Sequence, residues 1–78
     1  MISKEAVIGY IKKTMPDADV NLTDKTGMMD HFCLEVTSEA FREMNLLDRQ
    51  RSVYAALNEP MKDGRIHALE IKSRTPEE

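Results

Sequence analysis

Two short runs of alternating polarity stand only seven residues apart: Asp19-Val20-Asn21-Leu22-Thr23 and His31-Phe32-Cys33-Leu34-Glu35-Val36-Thr37. A period of two marks a half-buried strand. So short a connection favours an antiparallel hairpin with a long loop, Asp24 to Asp30, turning around Gly27. Any fold for this chain must therefore contain a sheet with one apolar face. In the second run Phe32, Leu34 and Val36 take that face, while His31, Cys33 and Glu35 take the other.

The flanking segments supply helices. Ser3 is placed to cap a helix over Lys4 to Met15, with Val7, Ile8, Ile11 and Met15 on one stripe and Pro16 ending it. Gly9 inside that helix costs about 1 kcal/mol relative to Ala, and a close packing contact would explain it. Ser38 can cap a short helical turn through Phe41. A longer helix is expected from Asn45 to Leu57, its inner face marked by Leu46, Leu47, Gln50, Val53, Tyr54 and Leu57. Pro60 forbids simple continuation, so Glu59 to Lys62 makes one further turn. Asp63-Gly64 then signals a turn before a last strand, Ile66 to Lys72. In that strand His67, Leu69 and Ile71 share one face and Ile66, Ala68 and Glu70 the other. The tail from Thr75 to Glu78 is expected to fray. The predicted class is α+β in the order α-β-β-α-β: a three-stranded mixed sheet covered on one face by helices, in a single domain over residues 1–78.

Composition excludes several functions. A chain of 78 residues builds a small core and has marginal stability. No apolar run approaches the roughly 18 residues of a membrane span. Acid arrives at Glu5 and no apolar h-region follows, so no secretory signal is expected. One cysteine cannot form an internal disulfide, which points to a reducing cytoplasm. The net charge of −3 argues against broad nucleic-acid binding, which neutralises phosphates. Basic pairs such as Lys12-Lys13, Arg49 with Arg51 and Lys72 with Arg74 each have acids nearby and read as a mixed solvated surface.

Nucleophilic catalysis is disfavoured: Cys33 stands mid-strand with no glycine elbow, helix N-terminus or fixed base beside it, and reads as a small hydrophobe. It nevertheless leaves the same strand face as His31, roughly 7 Å along the chain. A structural zinc takes four protein ligands, and an iron–sulfur cluster takes four, usually cysteines. His31, His67 and Cys33 cannot complete such a set, so a metal held here needs ligands from a partner.

These residues lie within a longer pattern. It runs Val20-x-Leu22-x-Asp24-x-x-Gly27, then Asp30-His31-Phe32-x-x-x-Val36-x-Ser38-x-x-Phe41. It continues as Leu46-Leu47-x-Arg49-x-Arg51-x-Val53-Tyr54-x-x-Leu57 and Arg65-Ile66-His67-Ala68-Leu69-x-Ile71, and closes with Thr75-Pro76. In order and spacing the chain resembles the BolA-like proteins over nearly its whole length, most specifically at Ile66-His67-Ala68-Leu69. The resemblance implies a class II KH-like fold and a non-enzymatic adaptor that forms a heterodimer with a monothiol glutaredoxin. In that complex a two-iron, two-sulfur cluster is shared. The glutaredoxin cysteine and a bound glutathione supply sulfur ligands, the BolA-like chain supplies the histidine matching His67, and the isolated chain carries no cofactor. The second ligand from this chain is assigned to His31, as in members with a shorter loop, with Cys33 in reserve. Many members have His or Cys after the loop glycine where this chain has Met28 and Met29. Thioethers suit an iron–sulfur cluster poorly. Glu43 stands where members often have Gly. A cluster held by imidazoles is expected to be labile and pH-sensitive, and Arg65 beside His67 is placed to meet glutathione carboxylates or an acidic partner surface.

Two other readings compete. Some BolA-like proteins are described as transcription regulators, linked to stress responses, so DNA is the alternative partner. However, the stretch Phe41-Arg42-Glu43-Met44-Asn45 lacks the GXXG loop by which KH domains clamp a nucleic-acid backbone. The last reading is a plain interaction module with incidental histidines.

Overall fold

A computed structural model describes residues 2–28 and 31–78. Helix α1 (Lys4–Thr14) starts at Ser3, whose Oγ accepts the Ala6 amide at 3.1 Å. This satisfies one of the donors a helix start leaves unpaired. Val7, Ile11 and Met15 are buried on its inner stripe. Strands β1 (Asp19–Asp24) and β2 (His31–Thr37) pair antiparallel, with Val20 opposite Val36 and Leu22 opposite Leu34. Strand β3 (Ala68–Arg74) runs parallel to β2 on its other side. The result is the expected α+β architecture, a mixed sheet in the order β1-β2-β3 with helices on one face.

Between β2 and β3 lie a 3-10 turn (Glu39–Phe41), helix α2 (Leu46–Ala56) and helix α3 (Asn58–Lys62). Asp17 fastens the 3-10 turn. One of its carboxylate oxygens accepts from the Ser38 hydroxyl at 2.7 Å and the other from the Glu39 amide at 2.8 Å. Those bonds, the Glu39 amide foremost, hold the Asp17 carboxyl below its ordinary pKa. Asn45 caps α2 by accepting the Asp48 amide at 2.8 Å. Phe32, Leu34 and Val36 are fully buried against Val7, Ile11, Phe41, Val53 and Leu57. Their alternate neighbours His31, Cys33, Glu35 and Thr37 stay half-buried on the face away from that core.

Four local expectations are corrected. The last strand begins at Ala68 and runs to Arg74, because its parallel ladder to β2 extends from His31–Ala68 to Thr37–Arg74. Ile66 therefore lies before the strand and is buried in the core. Helix α2 buries Val53, and Leu57 just past its end, as expected, but turns Leu46 (71% exposed), Leu47 (56%) and Tyr54 (40%) outward and buries Arg49 instead. An arginine can take the inner position because its guanidinium pairs with Glu78 at 2.8 Å and its Nε donates to the Met44 carbonyl at 3.1 Å. The tail is docked rather than frayed: Thr75 is buried, and its amide donates to the same Glu78 carboxylate. Gly9 has no packing partner, since a Cβ built on it meets nothing within 4 Å.

Candidate functional site

The register between β2 and β3 decides where the two histidines meet. His31 opens β2 and is paired with Ala68, the residue after His67. With strands about 4.8 Å apart and a rise of about 3.3 Å per residue, the Cα atoms of His31 and His67 lie roughly 6 Å apart. Cys33 is paired with Glu70, three residues beyond His67, so the corresponding separation is roughly 11 Å. One end of the sheet thus brings the two histidine backbones together, while Cys33 stands further in on the central strand. His67 is exposed, and His31 and Cys33 are half-buried.

Each histidine is delivered by a turn with its own chemistry. Before His31, the Asp24 carboxylate accepts the amides of Thr26 (3.2 Å) and Gly27 (3.0 Å), an Asx turn completed by Gly27 at φ +80°. The Lys25 amide donates to the His31 carbonyl at 2.9 Å, extending the hairpin ladder by one step. Met28 is 66% exposed, whereas Met29 and Asp30 lie outside the described residues. Before His67, Gly64 at φ +88° reverses the chain, and Asp63 Oδ1 accepts the Arg65 amide at 3.1 Å. The buried Ile66 then donates its amide to the carbonyl of Pro60, also buried, at 3.1 Å. His67 is therefore held between an anchored core residue and the first residue of a strand.

An ion pair spans the open face beside this end. Lys25 Nζ lies 2.6 Å from Glu70 Oε2, crossing from the β1 side of β2 to β3 over the face that carries His31 and Cys33. The Lys25 bond, followed by its charge and with a smaller contribution from His31, holds the Glu70 carboxyl below its ordinary pKa. Reciprocally, Glu70 raises the Lys25 ammonium. Both side chains are about half exposed, so the pair adds little stability; it sets the charge next to the imidazoles. Sequence reading did not find this pair, because its members are 45 residues apart and meet only through the parallel register.

Two more contacts position the site from behind. Gln50 Nε2 donates to the Ile71 carbonyl at 3.0 Å and the Tyr54 hydroxyl to the Leu69 carbonyl at 3.4 Å, tying α2 to β3. Arg65 bonds Asp63 through Nε at 2.9 Å and the Tyr10 hydroxyl through a terminal nitrogen at 3.1 Å, joining the His67 segment to α1. Among the described residues, no three His, Cys, Asp or Glu side chains gather into a group able to hold a metal ion.

The fold is a small α+β domain with a mixed three-stranded sheet covered by helices. The BolA-like protein family profile matches residues 11–78. The chain is 39% identical over 80 aligned residues to Protein BOLA2 of Arabidopsis thaliana, covering all of this chain and 84% of that one. It is also 40% identical over 53 residues to the Acid stress protein IbaG of Escherichia coli K12, covering 68% and 63% of the two chains. BolA1 from Arabidopsis thaliana superposes with a TM-score of 0.85 at 30% identity, over 99% of this chain and 98% of that one. This chain belongs to the BolA-like family. Among the described residues no helix is long and apolar enough to cross a membrane.

Proposed function

We propose that this chain is a non-enzymatic adaptor that docks on a monothiol glutaredoxin and holds a two-iron, two-sulfur cluster jointly with it, in iron–sulfur trafficking or iron and redox regulation. The observation that carries this reading is the register pairing of His31 with Ala68, which sets the His67 and His31 backbones side by side at an accessible sheet end. The donor chemistry fits a shared site. Two nitrogen ligands leave two positions for sulfur from the glutaredoxin cysteine and its glutathione, and iron–sulfur clusters accept a pair of histidines in place of a pair of cysteines.

His67 is the first ligand, because the anchored Ile66 and the start of β3 fix its backbone. His31 is preferred over Cys33 as the second, because Cys33 lies roughly 11 Å from His67 along the sheet. The cluster supplies labile iron and sulfide when bound; the chain's own part is to present imidazoles that protonation can detach. Retaining Cys33 as a free thiol suits a reducing compartment such as the cytoplasm. The Acid stress protein among its relatives is consistent with a stress-linked regulatory output. The DNA-binding alternative loses two of its cations: Arg49 is buried on Glu78, and Arg42 pairs with Glu39 and Glu77.

The test is visible absorption and circular dichroism while this protein is titrated into cluster-loaded monothiol glutaredoxin with glutathione. A new cluster spectrum saturating at one-to-one is expected. It should be abolished by His67→Ala, altered by His31→Ala and unchanged by Cys33→Ala. No spectral change with the wild type refutes the shared-cluster function.

A further inference from the structure

Strand β3 is an edge of the sheet, and its outer side is partly covered by side chains from α2. The Ser38 amide donates to the Arg74 carbonyl at 3.0 Å, continuing the parallel ladder between β2 and β3. Backbone polar groups alternate in direction along a strand. Arg74, Lys72 and Glu70 therefore turn theirs toward β2, and Ser73, Ile71 and Leu69 turn theirs outward. Two of those outward carbonyls are occupied: Ile71 accepts from Gln50 Nε2 at 3.0 Å and Leu69 from the Tyr54 hydroxyl at 3.4 Å. The match is geometric, since four helical residues rise about 6 Å and two strand residues about 6.6 Å. The outward amides of Leu69, Ile71 and Ser73 meet no acceptor among the described residues.

The edge beneath this cover is self-complementary. Two β3 strands paired antiparallel about Ile71 would set Ile71 against Ile71 and Leu69 against Ser73, and would set Glu70 against Lys72 twice by symmetry. Glu70 and Lys72 are exposed and lie on the open face of the sheet, and opposite charges directly across a strand pair attract. Leu47 (56% exposed) shares a helical stripe with Gln50 and Tyr54, so apolar surface flanks the same edge. An open edge of this kind is a template for pairing with another chain. We propose that Gln50 and Tyr54 form an autoinhibitory seal that keeps β3 from pairing with β3 of a second copy of this protein. The excluded occupant is a second copy because its own Glu70 and Lys72 meet their opposite charges in that register. Neither histidine takes part, so the seal stands apart from the adaptor reading.

The experiment is sedimentation velocity of the full chain under reducing conditions, over a concentration series reaching about 1 mM. Wild type is expected to remain monomeric through most of the series. Gln50→Ala/Tyr54→Phe frees both carbonyls and should form a closed dimer, with self-association tightened by about tenfold or more. Alanine favours the helix and phenylalanine keeps the ring, so the fold should persist, as far-ultraviolet circular dichroism will show. Adding Lys72→Glu to the unsealed protein sets Glu against Glu and should abolish the gain, and adding Glu70→Lys as well should restore it. An unsealed protein that sediments like wild type overturns the seal, and so does a wild type that dimerises as strongly as the unsealed variant. A dimer indifferent to Lys72→Glu, or open-ended aggregates in place of a dimer, overturns the β3 register.

Discussion

Replacing Gly9 with alanine should make this protein more stable, and the structure fixes both the sign and the size. Gly9 lies within α1, where glycine is about 1 kcal/mol less favourable than alanine because it loses more backbone freedom on folding. That gain would be cancelled if the new methyl were crowded, since overpacking costs about 1–3 kcal/mol. Here an added Cβ meets nothing within 4 Å, so no steric term is subtracted. The net expectation is about 0.8–1 kcal/mol of added stability. For a domain of this size that raises the melting temperature by about 4–8 °C, and it moves the urea midpoint up by about 0.5–1 M with an unchanged slope. The other two glycines serve as controls. Gly27 and Gly64 are equally uncrowded but sit at φ +80° and +88°, where a side chain costs about 1–2 kcal/mol. Gly27→Ala and Gly64→Ala should therefore destabilise by about that amount. Thermal and urea unfolding by circular dichroism measures all three. A Gly9→Ala protein no more stable than wild type, or a Gly64→Ala protein more stable, would refute the reasoning.

Leu34 stands fully buried at the centre of the middle strand, so Leu34→Ala should cost about 2–5 kcal/mol. That is a large share of the roughly 4–12 kcal/mol expected for a chain of this length, and a urea midpoint near wild type would show that the core had collapsed around the gap. Glu78 is held at a pKa of about 2, against an ordinary 4.5, first by Arg49 and then by the Thr75 amide. A depressed carboxylate contributes stability that is complete above pH 4.5 and is lost as the pH falls through about 2. Glu78→Gln should therefore flatten the acid limb of the stability curve between those values. Parallel wild-type and Glu78→Gln curves over that range would show that the Arg49 pair carries no linkage.

The hairpin, the capped first helix and the order of elements were legible because each follows from local chemistry: alternation in Leu22 and Phe32 to Val36, the Ser3 hydroxyl, Pro16. The inner face of α2 was only partly so. Apolar periodicity assigned it to Leu46, Leu47, Gln50, Val53, Tyr54 and Leu57; Val53 and Leu57 are buried, but Leu46, Leu47 and Tyr54 face outward and Arg49 is buried in their place. Nothing near Arg49 in the chain announces that a carboxylate 29 residues away will neutralise it. The docked tail was missed for the same reason, since Glu78 reads as a solvated acid until Arg49 is placed beneath it.

The same division runs through the candidate site. The sequence by itself determined which groups are present and how each is delivered: His31 after a glycine-containing loop, His67 after Asp63-Gly64, and Cys33 two residues along the His31 strand. Only the tertiary structure decided that His31 and His67 share a sheet end, that Cys33 stands apart from His67, and that Lys25 and Glu70 close across the open face. The physical reason is that turns and caps are made by near neighbours in the chain. The parallel register of β2 and β3, by contrast, is set by the burial of Ile66, Phe32 and Leu34 in one core, and that packing exists only once the whole chain has folded.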